Sequence, residues 1–244
     1  MMSTYKIADL TISMDCRGRT LLKQGLPYRM VSGSPVDIAI NIEVERLNKA
    51  RENYPQLSPD EWEYIQTGFA FASALLNFDG FCLHASAVNL EKKAVLFSAP
   101  CGTGKSTHAN LWQQHFGCEQ AVIINDDKPA LRLMGDKFYV YGTPWSGKSD
   151  LNTNIKVPLQ AIVFLEQAAE NQILPLSSKE AVKLLIYQSV RPGSDSGKMS
   201  RLLSLLDALL LNTPIYQMGC TISTDAVKMV YNQIYASALD PGIN

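Results

Sequence analysis

Paired cysteines, long apolar runs and an excess of either charge are all missing from this 244-residue chain. The five cysteines, Cys16, Cys82, Cys101, Cys118 and Cys220, are odd in number and widely scattered, with no CxxC pair. That pattern argues against a disulfide framework and against a CxxC zinc site, and reduced thiols in a cytoplasm are the expectation. No apolar stretch approaches the roughly 18 residues that a membrane span needs. The longest candidate, Gly68 to Phe78, is short and carries Ser73 and Asn77. Met1 to Ile7 has no basic segment followed by an apolar run, so no signal peptide is expected. With 22 basic and 23 acidic residues the formal charge is −1. A balance so close to neutral gives no steering toward nucleic acid or an anionic membrane. Repeats, low-complexity tracts and an obvious linker are absent as well.

What is present suffices for a globular α/β protein. Apolar residues make up 46% and charged residues 18%, enough side chain to bury a full core. The first stretch reads as strands, over Lys6–Met14 and Asp37–Glu43, with Ser32-Gly-Ser-Pro35 as the break between them. Ser58-Pro-Asp-Glu61 is an N-terminal helix signature, a cap followed by Pro and by a Glu three residues on. That helix is expected to run past Trp62, Phe69 and Leu76 and to stop near Asp79-Gly80. Strand and helix then alternate: Ala94–Ser98 as a buried strand, Ser106–Phe116 as a helix, and Ala121–Asn125 as the next buried strand. A hairpin is expected around Gly135-Asp136, and a further strand over Leu159–Leu165. The last third reads as helices from Ser178, over Met199–Leu211 and from Ser223, with a strand over Ile215–Met218. We expect one α/β unit over residues 1–244, in which 1–79 elaborate a core formed by 80–244.

The chemistry is concentrated in Ala99-Pro-Cys-Gly-Thr-Gly-Lys-Ser-Thr107, between an apolar strand and a helix. Glycines there let backbone N–H groups turn toward a phosphate, and the following helix adds the positive end of its dipole. In this phosphate loop Pro100, Cys101, Gly102, Thr103, Gly104, Lys105, Ser106 and Thr107 are the candidate nucleotide contacts. Lys105 is placed to reach the β- and γ-phosphates and Ser106 to offer its hydroxyl to Mg²⁺. The usual first glycine of the pattern is Ala99 here. About twenty residues on, Ile123-Ile-Asn-Asp-Asp-Lys128 ends a buried strand. Asp126 and Asp127 therefore emerge at a strand's C-terminal edge, where open α/β sheets bind ligands. Two acids beside a triphosphate suit metal binding and proton abstraction from an incoming hydroxyl.

Cys101-Gly-Thr-Gly-Lys-Ser-Thr107 followed by a strand ending in Asp126-Asp127 resembles two families, ATP-dependent phosphoenolpyruvate carboxykinase and the catalytic domain of HPr kinase/phosphorylase. His84-Ala-Ser-Ala-Val-Asn-Leu90 leading into Ala94–Phe97 resembles the HPr kinase pattern, in which the histidine sits near the reacting phosphate; His84 becomes a candidate on that basis. Gly142-Thr-Pro-Trp-Ser-Gly-Lys148 and Asn152-Thr-Asn154 resemble a group of small bacterial HPr-kinase-like proteins, and Val190-Arg-Pro-Gly193 is similar to a downstream HPr kinase segment. The resemblance covers roughly Gly80 to Ala130. It implies a P-loop mixed sheet with flanking helices and a β-rich N-terminal elaboration, using ATP and Mg²⁺. The chain departs from both families: it is much shorter than a carboxykinase, and residues 1–79 do not match the N-terminal domain of HPr kinase.

Secondary candidates follow. Pro144–Lys148 is a turn by composition that is expected to expose Trp145 and to offer Lys148 to an acidic substrate or phosphate. Arg132 is read as meeting the phosphates or pairing with Asp136. Arg191 is a candidate for stabilising a transferring phosphoryl group. His108 and His115 are read as structural or exposed, Cys101 as a small filler, and the stripe Leu202, Leu203, Leu205, Leu206, Leu209 and Leu210 as core or a subunit interface. The sequence therefore leads to an ATP-dependent kinase. Its acceptor is a hydroxyl on an unidentified protein or small molecule, and a homo-oligomer is left open. The alternative is a non-catalytic nucleotide-binding module in a modification pathway.

Overall fold

The computed structural model describes residues 2–31, 33–43 and 54–235. Ser32 of the expected N-terminal break lies outside them. Among the described residues there are two sheets and six α-helices. The smaller sheet is built from β1 (Ser3–Ile7), β2 (Leu10–Met14), β3 (Arg29–Met30) and β4 (Ile38–Ile40), in the order β3-β1-β2-β4. The run Lys6–Met14, read as one strand, is a hairpin. Ala8 and Asp9 turn it with φ of 52° and 63°, a left-handed pair that usually calls for Gly or Asn. Neither residue signals such a turn. A short helix, α1 (Arg19–Gly25), follows where only strands were expected.

The long helix α2 (Pro59–Leu75) begins as its sequence requires. Ser58 and Glu61 complete a reciprocal capping box, with Pro at the first position. It lies against the small sheet, and Phe71, Ala72 and Leu75 share a core with Tyr5, Ile7, Ile12 and Met14.

The larger sheet has nine strands: β5 (Gly80–Cys82), β6 (Ala85–Leu90), β7 (Lys93–Ser98), β8 (Val122–Asn125), β9 (Ala130–Met134), β10 (Lys137–Tyr141), β11 (Lys156–Gln167), β12 (Gln172–Pro175) and β13 (Ile215–Cys220). Their order is β5-β9-β10-β11-β7-β6-β8, with β13 also on β11 and β12 on β13. The twelve-residue β11 explains the branching. Its first residues pair antiparallel with β10, its last pair parallel with β13, and its other edge pairs parallel with β7. The sheet curls, because the segment entering β11 returns to the far edge: Thr153 donates to the Ile124 carbonyl and Asp126 to that of Leu151. The β9–β10 hairpin turns at Gly135-Asp136 as expected, with Gly135 at φ 66°.

Helices cover both faces. On one side α4 (Ser178–Gln188) and α5 (Ser196–Asn212) pack their apolar stripes on the sheet; Leu202, Leu205, Leu206 and Leu209 are buried there, while Leu203 stays exposed. On the other side α3 (Lys105–Phe116) and α6 (Thr224–Tyr235) enclose Trp112, Val227 and Val230 against Val95 and Phe97. Antiparallel β6 lies between β7 and β8. Strands β7, β8, β11 and β13 therefore point the same way, and their C-terminal ends share one edge, the edge that open α/β sheets use for ligands. No helix among the described residues is long and apolar enough to cross a membrane.

Candidate active site

The glycine loop lies between the end of β7 and the start of α3. Gly102 and Gly104 adopt φ of 82° and 114°. A Cβ at either position would meet nothing within 4 Å, so backbone strain rather than crowding requires glycine here. Gly104 is the N-cap of α3 and no side chain caps the helix. The first-turn amides therefore face outward without an internal acceptor, as an anion site requires. Lys105 folds back beneath the loop: its Nζ donates to the Ala99 carbonyl at 2.8 Å and to that of Pro100 at 3.3 Å. Thr103 closes the turn, its N–H and hydroxyl both donating to the Pro100 carbonyl. Pro100, Cys101, Ser106 and Thr107 are exposed around this curl. Ala99, which replaces the expected glycine, is buried in the core beneath α3, where its methyl group packs.

The acidic pair ends β8. Asn125, fully buried, pins the turn after it. Its amide donates to the Thr143 carbonyl and hydroxyl, and its carbonyl accepts from the N–H groups of Asp127 and Lys128. Asp126 is 7% exposed, and its Oδ1 accepts from the Ser86 hydroxyl at 2.5 Å. Asp126 Oδ2 and the Ser106 hydroxyl have no protein partner among the described residues. Asp127 lies between two nitrogen groups, the Lys128 ammonium in direct contact and His84 Nε2 at 3.4 Å. His84 is oriented from behind: its Nδ1 is 3.1 Å from the Gln188 side-chain Oε1, and its main-chain N–H donates to the Gln188 backbone carbonyl. Burial holds the His84 pKa below the ordinary imidazole value; Lys105 pushes the same way and Asp127 opposes. Burial likewise lowers the Lys105 pKa, against the pull of Asp127 and Asp126. Lys105, Asp126, Asp127, Lys128 and His84 thus form one electrostatic cluster at the shared strand edge.

Pro144–Lys148 packs beside this cluster. A Cβ on Gly147 would come within 3.0 Å of that of Asp127. Contrary to expectation, Trp145 is buried. Its ring stacks on Phe71 at 4.8 Å, its indole N–H donates to the Thr67 hydroxyl, and it covers Gly68 so closely that a Cβ there would sit 2.9 Å from the ring. The mid-helix glycine of α2 is thereby explained. Gln24 of α1 and Tyr64 of α2 hold the loop backbone. Gln24 accepts from Ser146 N–H and donates to the Gly147 carbonyl, while the Tyr64 hydroxyl accepts from Gly147 N–H and donates to Gln24. Residues from the N-terminal 79 therefore form the socket of a loop beside Asp127.

Three expected residues fall elsewhere. Lys148 is exposed, on the rim of a cleft of about 650 Å³ between α1, α2 and this loop that Glu61 also lines. Arg191 is exposed, two residues beyond the Leu83–Ser189 bridge that borders His84, and no contact joins it to the cluster. Arg132 meets neither glycine-loop residues nor Asp136. Its guanidinium donates to the Phe78 and Ala8 carbonyls and ties the β1–β2 turn to the larger sheet. Sequence reasoning also missed Ser86, Asn125, Lys128, Gln188, Gln24 and Tyr64. Asn125 and Lys128 could have been suspected from adjacency to the acids; Gln24 and Tyr64 lie more than 60 residues away and carry no local signal.

Residues 68–224 match the family described as SynChlorMet cassette protein ScmC, and the chain belongs to that family. Among solved structures, the HPr(Ser) kinase/phosphatase from Coxiella burnetii is similar at 9% identity, over 65% of this chain and 96% of that one, with a TM-score of 0.38. No curated protein matches the chain.

Proposed function

We propose that this protein is an ATP-dependent phosphotransferase that moves the γ-phosphoryl group of a nucleoside triphosphate to an acceptor hydroxyl, with residues 1–79 elaborating the same unit as the catalytic core. The observation that carries the reading is the buried Lys105, curled under an uncapped, left-handed glycine loop and sharing its electrostatic surroundings with Asp126, Asp127 and His84. The loop amides and Lys105 hold the phosphates. No cluster of three or more His, Cys, Asp or Glu among the described residues could hold a metal alone. The unpartnered Ser106 hydroxyl and Asp126 Oδ2 suit Mg²⁺, which takes a few protein oxygens and completes its shell with phosphate and water; bound there it would neutralise phosphate charge. Asp127 accepts the proton of the attacking hydroxyl, and His84 Nε2, 3.4 Å away, is the next site for that proton. The new bond joins the acceptor oxygen to the γ-phosphorus, the bond to the bridging oxygen breaks, and the nucleoside diphosphate leaves.

The test is incubation with γ-labelled ATP, Mg²⁺ and a fractionated bacterial lysate, alongside Lys105→Ala and Asp127→Asn. Label that enters a protein band or a small molecule, and is lost in both variants, supports a kinase and identifies the acceptor class. Label that stays in ATP, with ATP still bound, moves the chain to the alternative of a nucleotide-binding partner module.

A further inference from the structure

Lys128 is the member of the electrostatic cluster that the reaction above leaves without a task. Its ammonium contacts Asp127 Oδ2, and its side chain is 35% exposed where that of Asp127 is 19% exposed. Asp127 receives the proton of the attacking hydroxyl in that reaction, so a group that touches Asp127 borders the line of transfer. Resting on the kinase reading, we propose that Lys128 is a catalytic residue, which leaves Asp127 when a triphosphate binds and places its ammonium on the γ-phosphoryl oxygens. The pair of Lys128 with Asp127 is then a latch. It covers the base until the nucleotide arrives, and the incoming γ-phosphate opens it for the acceptor hydroxyl.

Four observations support the assignment. The first is position. Lys128 adds to the lowering of the His84 and Lys105 pKa values that burial begins. Its charge is therefore felt both by the lysine of the glycine loop and by the histidine beside Asp127. The second is anchoring. The Lys128 N–H donates to the side-chain oxygen of the buried Asn125 at 2.7 Å, and its carbonyl accepts from the Thr143 hydroxyl at 2.8 Å. Pro129 follows it in the chain and restricts its backbone further. The main chain is fixed while a flexible four-carbon stem leaves the ammonium free to swing. The third is the weak hold on that ammonium. An ion pair so open to water contributes little, whereas a transferring phosphoryl group spreads negative charge over three oxygens and draws the cation to itself. The fourth is the lack of a rival. Phosphoryl transfer calls for positive charge on the moving group. No contact among the described residues joins Arg191 to the cluster, and the Arg132 guanidinium is engaged by the Phe78 and Ala8 carbonyls.

The experiment measures binding of the β,γ-imido analogue of ATP, which keeps a γ-phosphoryl group and resists its transfer, and of ADP, which lacks one. Titration calorimetry in Mg²⁺ is applied to the wild type, Lys128→Gln, Lys128→Arg, Asp127→Asn and the double variant of Lys128→Gln with Asp127→Asn. Lys128→Gln is expected to weaken the triphosphate analogue about tenfold and ADP less than about twofold, as the loss of one charge-assisted contact to the γ-phosphoryl group requires. Retained ADP binding shows that the variant folds. Lys128→Arg is expected to keep most of the triphosphate affinity. The double variant is expected to show the same tenfold loss against Asp127→Asn alone, because a contact to phosphate does not pass through Asp127. An unchanged ratio of the two affinities in Lys128→Gln overturns the proposal. So does a loss that vanishes on the Asp127→Asn background, which would make Lys128 a positioning residue acting through Asp127. A wild type that binds neither ligand rejects the triphosphate reading itself. A wild type that binds both, with the ratio unchanged in Lys128→Gln, removes only the role of Lys128.

Discussion

Two loops meet at the strand edge, and they are held in opposite ways. The loop from Pro100 to Gly104 depends almost entirely on its own residues. Two left-handed glycines, the bonds of Thr103 to Pro100 and the return of Lys105 to the carbonyls of Ala99 and Pro100 shape it. The loop from Pro144 to Lys148 depends on residues far away: Trp145 rests on Phe71 and Thr67, and the backbone of Ser146 and Gly147 is fixed by Gln24 and Tyr64. The difference teaches that preorganisation can be written locally or borrowed. Where it is local, function can be damaged without touching stability. Where it is borrowed, the two fall together.

Lys105→Ala is the sharpest test of that division. On the proposed kinase reading, removing the Lys105 ammonium is expected to lower phosphoryl transfer by about 10³-fold, with little change in thermal unfolding. Trp145→Ala should strike both, lowering activity and destabilising the protein by about 3–5 kcal/mol through a cavity between α2 and the larger sheet, read from denaturant midpoints. If Trp145→Ala leaves stability intact, the borrowed loop is not borrowed. Acid should act on the glycine-loop flank through His108. Its folded pKa of about 4 lies below the unfolded value, so its neutral form contributes in full above about pH 6.5, and that contribution is lost as pH falls toward 4. The loss is on the order of 3 kcal/mol. The drop in melting temperature between pH 7 and 4.5 should shrink in His108→Leu. The smallest effect is expected from Gln24→Ala, which removes bonds to the backbone of two residues at a cost of about 1–2 kcal/mol. Its activity should fall along with its stability, because the site it loosens lies beside Asp127; equal activity to wild type would detach the socket from the chemistry.

The same contrast marks what could be read from the chain. The glycine loop, the Asp126-Asp127 edge, the β9–β10 turn and the Ser58 cap were legible because each is specified within a few residues, by a left-handed glycine, a hydrogen-bonding cap or an apolar run. The β1–β2 turn was not, since Ala8 and Asp9 adopt left-handed angles without the residues that favour them. Trp145 looked like an exposed turn residue because its partners are Gly68 and Phe71 on α2, a helix whose own pattern gives no reason for the glycine. Arg132 looked like a phosphate ligand because its distance from the acids in sequence is short. Its guanidinium instead caps carbonyls at Phe78 and Ala8, contacts that only the tertiary fold creates.

The branching of β11 has a consequence for synthesis. This strand joins β7, β10 and β13, so the edge that carries Ser98, Asp126 and the glycine loop is flanked by segments made much later. A growing chain that has just released Cys101 to Thr107 from the ribosome lacks β11, lacks Gln188 behind His84, and lacks β13. The glycine loop is written early and becomes rigid late. A nascent chain stopped before Ile215 would leave half of β11 with open hydrogen-bonding groups, an edge open to misassociation. Gln188 and strand β13 therefore complete the site and also shield its scaffold during birth.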